Sequence, residues 1–309
     1  MTAKLPAARA LVPAFAAVLV LSGATGPDLL EVRINGRTYS LHKESIRYYY
    51  PQSDGKIQQG QLARAAVAKI RGTLFRFAAG KEICFHQNGT IAWGFLDRPV
   101  RAAAGGATIL LAKAAADWEM TRFHQNGALE EACPAADTAL KAGDRRWLFK
   151  KPSAEHETLH FHKNGSVERG CLAKRTPARI SGKKVNIAGI VLFYDNGAVE
   201  AAHLAEPETF LVGKNLVKFQ NGEYWQVELF KNGNIERGYL FETVSLDVGG
   251  MNVKFQFNAL FDGRGRVIEG MPAEDFQWKG GVFRASQVVR IEYDGNAVKS
   301  IVRRMSSAR

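Results

Sequence analysis

The sequence predicts an all-β protein made of about seven to eight antiparallel β-hairpin repeats of 32–38 residues, arranged as an elongated open stack. Two observations support this fold class. First, the segments "FHQNGTIAWGFL", "FHQNGALEEACP" and "FHKNGSVERGCL" begin at Phe85, Phe123 and Phe161, so one short pattern recurs at a fixed interval. Second, no segment after residue 24 has convincing helical periodicity, since even Gln61–Ile70 fits the strand register.

The recurring unit aligns on one turn glycine. Phe or Leu stands four residues before it, and Ile, Leu or Val stands two residues after it. Because six copies agree in this way, the pattern indicates one structural unit repeated along the chain. The six turn glycines are Gly89, Gly127, Gly165, Gly197, Gly233 and Gly265. A second column of glycines, sixteen residues later, comprises Gly105, Gly143, Gly213, Gly249 and Gly281, with Gly182 displaced by one.

The turn is predicted to be a three-residue loop. A two-residue Asn164-Gly165 loop would place Phe161 opposite Glu168, which mixes an apolar and a charged side chain on one face. Including the residue before Asn164 in the loop places Phe161 opposite Val167 instead. This register predicts a type I turn followed by a left-handed glycine that forms a G1 bulge.

Each unit also has room for one or two further short strands between its hairpins. Three or four strands per unit fit either an open stack, in which each unit touches its neighbours, or a closed β-propeller. We favour the open stack because several units are too short for a four-stranded blade. Residues 25–309 are predicted to form a single β-repeat domain with degenerate capping repeats at both ends.

Residues 1–24 are typical of a signal peptide. Lys4 and Arg9 precede the apolar run Ala10–Leu21, and Ser22 and Ala24 are small residues that suit cleavage. The apolar run has twelve residues, whereas a helix that spans a bilayer needs about 20. We therefore expect an exported protein, located in the periplasm, the cell envelope or the medium, with no transmembrane span after cleavage.

The charge of the chain indicates the kind of partner. The formal net charge is +12, and loss of Lys4 and Arg9 with the signal peptide leaves +10. An exported basic protein meets little nucleic acid, so no nucleic-acid partner is expected. The expected partner is a protein, an anionic envelope polymer or an anionic lipid surface.

Three segments resemble the hairpins of MORN-type repeat proteins and their bacterial variants. They are "FHKNGSVERGCL", "FYDNGAVEAAHL" and "LFKNGNIERGYL", which share an aromatic residue, an Asn-Gly turn and a following apolar residue. The resemblance covers the hairpin half of each unit over most of residues 48–300. It implies an extended array of β-hairpins used for contact with proteins or membrane surfaces, and it supplies no catalytic residues.

Three histidines occupy one column, three residues before the turn glycine. Neutral imidazole binds zinc and copper well, so a stack of histidines raises the question of a metal site. The column accepts other residues, however, and therefore indicates a position for a flat side chain beside a turn. No metal and no cofactor are expected. The column consists of His86, His124, His162, Tyr194, Phe230 and Asp262.

Two further columns also favour structural roles. Cys133 and Cys171 share a column with Phe95, His203, Tyr239 and Met271, which indicates a buried packing position. We expect thiols rather than a disulfide, because several strands per unit would hold equivalent positions apart.

A column of glutamates is expected to form a solvated strand face rather than the carboxylate pair of a glycoside hydrolase. It consists of Glu130, Glu168, Glu200 and Glu236.

The sequence thus predicts a non-enzymatic, exported repeat scaffold with no catalytic residues. The alternative is an enzyme whose active site lies in a non-repeated part of a propeller-like scaffold. The largest departures from the repeat are Leu211–Phe230 and the N-terminal segment His42–Gly55. Within the first, four residues combine exposed aromatic and basic character and form the predicted binding site, namely Lys214, Lys218, Tyr224 and Trp225.

Overall fold

A computed structural model describes residues 19–21, 28–49, 55–222 and 224–304. Most of the predicted signal peptide lies outside these residues, and only Leu19–Leu21 is described, as a short strand. The described chain is all-β, without an α-helix, and its antiparallel hairpins form an open stack. The fold class predicted from the sequence is therefore confirmed, in its open form rather than as the closed propeller.

The strands follow one another with short connections. In chain order they are β1 (Leu19–Leu21), β2 (Leu29–Ile34), β3 (Arg37–His42), β4 (Arg47–Tyr48), β5 (Ile57–Gln61), β6 (Ala66–Ile70), β7 (Thr73–Phe77), β8 (Glu82–Phe85), β9 (Ile91–Gly94), β10 (Val100–Ala104), β11 (Ala107–Leu111), β12 (Thr121–Phe123), β13 (Leu129–Ala132), β14 (Thr138–Ala142), β15 (Arg145–Phe149) and β16 (Leu159–Phe161). They continue as β17 (Val167–Cys171), β18 (Thr176–Ile180), β19 (Lys183–Phe193), β20 (Val199–Leu204), β21 (Glu208–Val212), β22 (Asn215–Phe219), β23 (Gln226–Leu229), β24 (Ile235–Tyr239), β25 (Val244–Val248), β26 (Met251–Phe261), β27 (Val267–Pro272), β28 (Phe276–Trp278), β29 (Gly281–Phe283), β30 (Val289–Asp294) and β31 (Ala297–Arg303). Two 3₁₀ turns cover Lys43–Ser45 and Glu155–Glu157.

The chain divides into two compact units. Unit 1 comprises the described residues of Met1–Val100 and Lys113–Ala128, and unit 2 those of Arg101–Ala112 and Leu129–Arg309. The single domain expected for residues 25–309 stays a prediction.

Each repeat contains two kinds of hairpin. Sheet hairpins carry the recurring turn glycine and pair with one another side by side. In unit 2 the sheet runs from β13 through β16, β17, β19, β20, β23, β24, β26, β27 and β30 to β31. Side hairpins connect successive sheet hairpins and lie outside this order, except that β19 and β26 each serve both kinds. In unit 2 they are β10–β11, β14–β15, β18–β19, β21–β22, β25–β26 and β28–β29. Unit 1 has the sheet strands β4, β5, β8, β9 and β12 and the side hairpins β2–β3 and β6–β7.

The turn of the sheet hairpins has the predicted register. Phe161 lies opposite Val167, with a bulge in the pairing beside it. Gly165 has a φ of +86°, which is the left-handed region that glycine enters without strain. The Asn164 side chain accepts a hydrogen bond from the Ser166 amide at 2.9 Å. The type I turn followed by a glycine bulge is therefore confirmed for this hairpin.

The second glycine column lies in the turns of the side hairpins, except for Gly281, which begins β29 opposite Trp278. Ala142 lies opposite Arg145, so Gly143 and Asp144 form a two-residue loop. Gly143 has a φ of +64°, as the first position of a primed hairpin turn requires. These loops join strands with one buried and one exposed face.

The core forms where side hairpins pack on the sheet. Each side hairpin reaches over the next sheet hairpin to the one after it. The ring of Phe193 lies 5.1 Å from that of Trp147 and 6.3 Å from that of Phe149, although a whole hairpin separates them in sequence. The same overlap places Phe261 6.4 Å from Phe219. Successive repeats are therefore interlocked and do not simply touch at their edges.

A small residue makes room for this packing. A Cβ atom on Gly170 would lie 2.5 Å from the ring of Phe149. The equivalent Gly94, Gly238 and Gly270 are covered in the same way by Phe77, Phe219 and Phe255. This glycine column, five residues after the turn glycine, is a packing requirement that the sequence analysis missed.

Candidate binding site

The connection between β22 and β23 is the main departure from the repeat in unit 2. The Gln220 side chain holds its beginning by donating to the Leu240 carbonyl at 2.8 Å. The His203 ring holds its middle, because Nδ1 donates to the Gly222 carbonyl at 2.7 Å. The other ring nitrogen, Nε2, accepts from the Gln226 side chain at 2.9 Å. His203 is therefore a positioning residue for this connection.

Five aromatic residues surround this connection on three neighbouring segments, and we call them the aromatic corner. They are Tyr224, Trp225, Tyr239, Phe241 and Phe257. The Trp225 and Tyr239 rings meet edge to face, with centroids 4.5 Å apart. Tyr224, Phe241 and Phe257 are 82%, 47% and 60% exposed. The corner thus presents a cluster of aromatic side chains to solvent.

Phe257 has an unfavourable backbone conformation. Its φ is +63°, a region that a bulky side chain rarely enters. The equivalent residue of the long strand β19 is Gly189, whose φ is +67°. The carbonyl groups of both residues accept a hydrogen bond from the amide of a leucine in the preceding sheet hairpin. Leu172 donates to Gly189 at 2.8 Å, and Leu240 donates to Phe257 at 2.6 Å. The fold therefore needs a left-handed residue here, and Phe257 supplies it at a cost that glycine avoids.

A cavity of about 480 Å³ lies on the other side of the same connection. Its lining is mixed, with apolar residues such as Leu172, Ile190 and Leu204 beside polar and charged ones. The polar and charged residues are Lys150, His156, Glu157, Arg175, His203 and Asn221. The volume falls within the roughly 300–1,000 Å³ that is usual for small-ligand pockets. The same connection therefore contributes Asn221 and Gly222 to the cavity and Tyr224 and Trp225 to the aromatic corner.

The structure separates the two lysines of the predicted binding site. Lys218 lies over the Phe241 ring, with its Nζ 4.0 Å from the ring centroid. Lys214 lies in the side-hairpin turn at the far end of β22, where it forms an ion pair with Asp247 at 2.5 Å. Lys218 therefore belongs to the aromatic corner, and Lys214 does not.

A second surface is formed by the outward faces of the side hairpins in unit 2. Lys141 lies directly opposite Arg146 on β14–β15, and Arg179 lies directly opposite Lys184 on β18–β19. All four are exposed. Like charges in directly opposed positions destabilise a hairpin. Each of these hairpins therefore carries an unfavourable pair of cations.

No acid on these faces neutralises the two pairs. The exposed positions of β10, β11, β14, β15, β18 and the first half of β19 include no Asp or Glu. Arg101 of β10 adds a fifth exposed cation. Within the described chain, none of the five forms an ion pair. We call Arg101, Lys141, Arg146, Arg179 and Lys184 the cationic face.

The histidine column has a structural role. Nε2 of His86 donates to the Phe123 carbonyl at 2.8 Å, and Nε2 of His162 donates to the Phe193 carbonyl at 2.8 Å. In the next copy the Tyr194 hydroxyl makes the equivalent bond. The flat side chain predicted for this column therefore bridges one sheet hairpin to the next.

The cysteines lie in packing positions. Cys84, Cys133 and Cys171 are buried thiols. Two strands per repeat enter the sheet, so equivalent residues of adjacent repeats stand about 10 Å apart. This spacing exceeds the Cα separation that a disulfide allows, about 7 Å at most. This spacing explains why Cys133 and Cys171 are thiols and not a disulfide, as the sequence predicts.

One buried polar cluster superficially resembles a nucleophile with its base. The Thr158 hydroxyl donates to Glu131 Oε1 at 2.8 Å and lies 3.0 Å from His160 Nε2. The hydroxyl also lies 3.0 Å from the Glu155 carbonyl, so two oxygen acceptors compete with His160 for its single proton. Burial lowers the pKa of His160, which keeps the ring neutral. Because Thr158 is fully buried, this cluster joins two strands and offers no nucleophile to a substrate.

The described residues contain no group of three or more His, Cys, Asp or Glu side chains that could hold a metal ion. In the same part of the chain, no helix is long and apolar enough to cross a membrane.

The sequence analysis named Tyr224, Trp225 and Lys218 of the aromatic corner and did not name Phe241 or Phe257. A signal for Phe241 was present, because the equivalent position eight residues after the turn glycine is alanine in four copies. Those alanines are Ala135, Ala173, Ala205 and Ala273. The repeat register already aligns Phe257 with Gly189, since each stands eight residues before its turn glycine. Only the structure shows that this position is a bulge with a left-handed backbone.

Comparison with protein-family models and with curated proteins finds no match. Among solved structures, the chain is similar at 9% identity and a TM-score of 0.13 to one titled "Crystal Structure of TcdB2-TccC3". The similarity covers 89% of this chain and 14% of the other, so the chain spans only about a seventh of that protein.

Proposed function

We propose that this protein is a non-catalytic repeat scaffold that binds an anionic partner through the cationic face of its side hairpins. The observation that carries the proposal is the pair of like-charged, directly opposed residues on two consecutive hairpins, Lys141 with Arg146 and Arg179 with Lys184. Such pairs lower the stability of the free protein. A bound polyanion would neutralise both pairs, so binding would relieve the repulsion that destabilises the free protein.

The spacing of the pairs favours an extended ligand. Consecutive repeats are offset by two strands, or about 10 Å, so the cations form a row instead of a single pocket. A row of exposed cations attracts a polymer or a surface with dense negative charge. The expected partner is an anionic envelope polymer or an anionic lipid surface, in keeping with the resemblance of the sheet hairpins to MORN-type repeats.

Charge reversal tests this function. Lys141→Glu with Lys184→Glu places each new carboxylate opposite an arginine, so the double variant should be at least as stable as the native protein. Binding should be measured to polygalacturonate by calorimetry and to phosphatidylglycerol vesicles by sedimentation, at low salt. We expect one of these ligands to bind, with an affinity that the double variant lowers about tenfold or more.

A matched control distinguishes the loss of the cationic face from a general change in net charge. Arg264→Glu with Lys299→Glu makes the same change in charge on exposed residues of the sheet hairpins. This control should bind nearly as well as the native protein. Equal losses in the two double variants, or no binding to either ligand at low salt, would reject the cationic face as a binding surface.

Export is part of the proposal. A protein that meets envelope polymers must leave the cytoplasm, and the basic and apolar start of the sequence supports this route. N-terminal sequencing of the protein from its native host should find a mature chain that begins near Thr25. Envelope-located protein that still carries Met1 would contradict cleavage.

A further inference from the structure

A cleft lies between the first two side hairpins of unit 1, β2–β3 and β6–β7. It has a volume of about 240 Å³ and is also lined by the sheet-hairpin turns at Gly89 and Gly127. The Arg37 side chain of β3 donates to the Lys69 carbonyl of β6 at 2.8 Å, so a hydrogen bond joins the two hairpins beside the cleft. All the lining residues belong to unit 1, and one compact unit therefore forms the whole cleft.

The cleft collects positive charge without an acid to balance it. Arg37, Lys69 and Arg71 line it, and no Asp or Glu does. The described acceptors of Arg37 are both neutral, namely the Lys69 carbonyl and the Tyr39 hydroxyl. Among the residues that the structure describes, Lys69 and Arg71 form no ion pair. Because a cleft lined by one sign of charge attracts the opposite charge, this cleft favours a bound anion.

Arg71 stands where a long side chain is unfavourable. It is the first residue of the β6–β7 turn and has a φ of +45°, a left-handed conformation that residues with a Cβ avoid. Four other side hairpins have glycine at this position, namely Gly105, Gly143, Gly213 and Gly249. The cation at the same position of β28–β29, Lys279, lies over the Trp278 ring, whereas Arg71 is exposed at the cleft. Backbone strain that persists beside a cleft points to a function for the side chain that bears it.

The equivalent cleft of unit 2 is partly neutralised. It lies between β14–β15 and β18–β19, and beside its three cations it contains Asp144. One of those cations, Lys231, forms an ion pair with Asp195 at 2.8 Å. Gln125 stands at the position of Lys231 in unit 1, and its side-chain amide has no partner among the described residues. The cleft of unit 1 therefore keeps its full positive charge and adds a neutral hydrogen-bond donor.

The size and charge of the cleft define the ligand. A volume of about 240 Å³ is below the range usual for drug-sized ligands and suits one compact anion. Arginine and lysine both bind phosphate oxygens, and three cations suit a dianion better than a carboxylate with a single charge. We propose that this cleft binds a phosphate monoester group, carried by a soluble molecule or by a lipid. The site shares no residue with the cationic face, which lies in unit 2.

The test uses the full chain and three probes, which are inorganic phosphate, glucose 6-phosphate and vesicles that contain phosphatidic acid. Calorimetry follows the soluble probes and sedimentation follows the vesicles, both at low salt. We expect at least one probe to bind with a Kd below about 1 mM, while acetate at the same ionic strength binds at least tenfold more weakly. Binding of glucose 6-phosphate shows that a soluble phosphate is sufficient, and binding of the vesicles alone identifies a lipid head group.

A double variant removes two cations of the cleft. Lys69→Gln with Arg71→Asn should weaken binding about tenfold or more. Asparagine fits the turn position, because Asn35 occupies the equivalent position of β2–β3 with a φ of +53°. The unfolding midpoint of this variant should therefore equal or exceed that of the native protein, and a loss of binding then reports on the lost charges.

A matched control makes the same change in charge elsewhere in unit 1. Arg64→Gln with Arg98→Gln alters two exposed cations outside the cleft and should bind as the native protein does. The proposal is overturned if no probe binds below about 1 mM, if acetate binds as tightly as the phosphates, or if the cleft variant binds no more weakly than the control. None of these results bears on the cationic face, because its test changes only Lys141 and Lys184.

Discussion

Gly143 and Gly197 bring a side-hairpin turn and a sheet-hairpin turn into direct backbone contact. A Cβ atom on Gly197 would lie 1.9 Å from the Gly143 backbone nitrogen. Gly213 and Gly265 repeat the relationship, with a corresponding distance of 2.2 Å. The two glycine columns recognised in the sequence therefore meet in space, and each is required partly because of the other.

This contact predicts different effects for two similar substitutions. Gly165 and Gly197 have φ values of +86° and +82° in the same kind of turn, but a Cβ on Gly165 would meet nothing within 4 Å. Gly165→Ala should cost about 1 kcal/mol of unfolding free energy through backbone strain alone. Gly197→Ala should cost about 3 kcal/mol or more, because a backbone must also move. Urea unfolding measures both, and equal losses would contradict the close contact.

The packing of Gly170 beneath Phe149 predicts a compensating pair. Gly170→Ala should destabilise the protein by about 1–3 kcal/mol, because its Cβ would lie 2.5 Å from the ring. Another repeat has Ala132 and Leu111 at the equivalent positions, and both are buried. Adding Phe149→Leu to Gly170→Ala should therefore recover part of the loss. A double-mutant cycle measures this coupling, and strictly additive losses would show that the two residues do not share one space.

Phe257 predicts a substitution that stabilises the fold. Phe257→Gly should raise the unfolding free energy by about 0.5–1 kcal/mol, because it removes a left-handed conformation from a bulky residue. The reciprocal change, Gly189→Ala, should lower it by about 1 kcal/mol, since its Cβ meets only the His203 ring at 4.0 Å. Thermal unfolding of both variants tests this. A less stable Phe257→Gly variant would show that the Phe257 ring contributes to packing.

The carboxyl group of Glu157 predicts that the stability of the fold decreases at acidic pH. Burial raises its pKa, but hydrogen bonds from Lys150 and from the Ser153 amide and hydroxyl outweigh this effect and lower the pKa from 4.5 to about 2. Because the folded pKa is the lower one, the stabilisation is complete above about pH 4.5 and is lost as the pH falls towards 2.

The corresponding experiment compares Glu157→Gln with the native protein between pH 7 and pH 3. The variant should be less stable by about 2 kcal/mol at pH 7, and the difference should shrink as the pH falls below 4.5. Glu155→Gln changes an exposed neighbour and should show no such trend. A difference for Glu157→Gln that stays constant down to pH 3 would mean that its carboxyl group is not held in the charged form.

The sequence by itself determined the hairpins and their register. An Asn-Gly turn between alternating apolar residues specifies local backbone angles and the inward face, which was enough to place Phe161 opposite Val167. The repeat length and the absence of helical periodicity then led to the open all-β stack. The turn and the register depend on residues that are close together in the chain, so a single copy is enough to predict them.

Only the tertiary structure decided which repeats touch. Side hairpins pass over one sheet hairpin to reach the next, so Trp147 meets Phe193 and Gly143 meets Gly197. The same long-range pairing placed Lys218 on Phe241 but carried Lys214 to the other end of its strand. Local propensity cannot select among equivalent repeats, because every copy offers nearly the same surface. The choice is made by which distant side chains fill the remaining space, and that becomes visible only when the chain is folded.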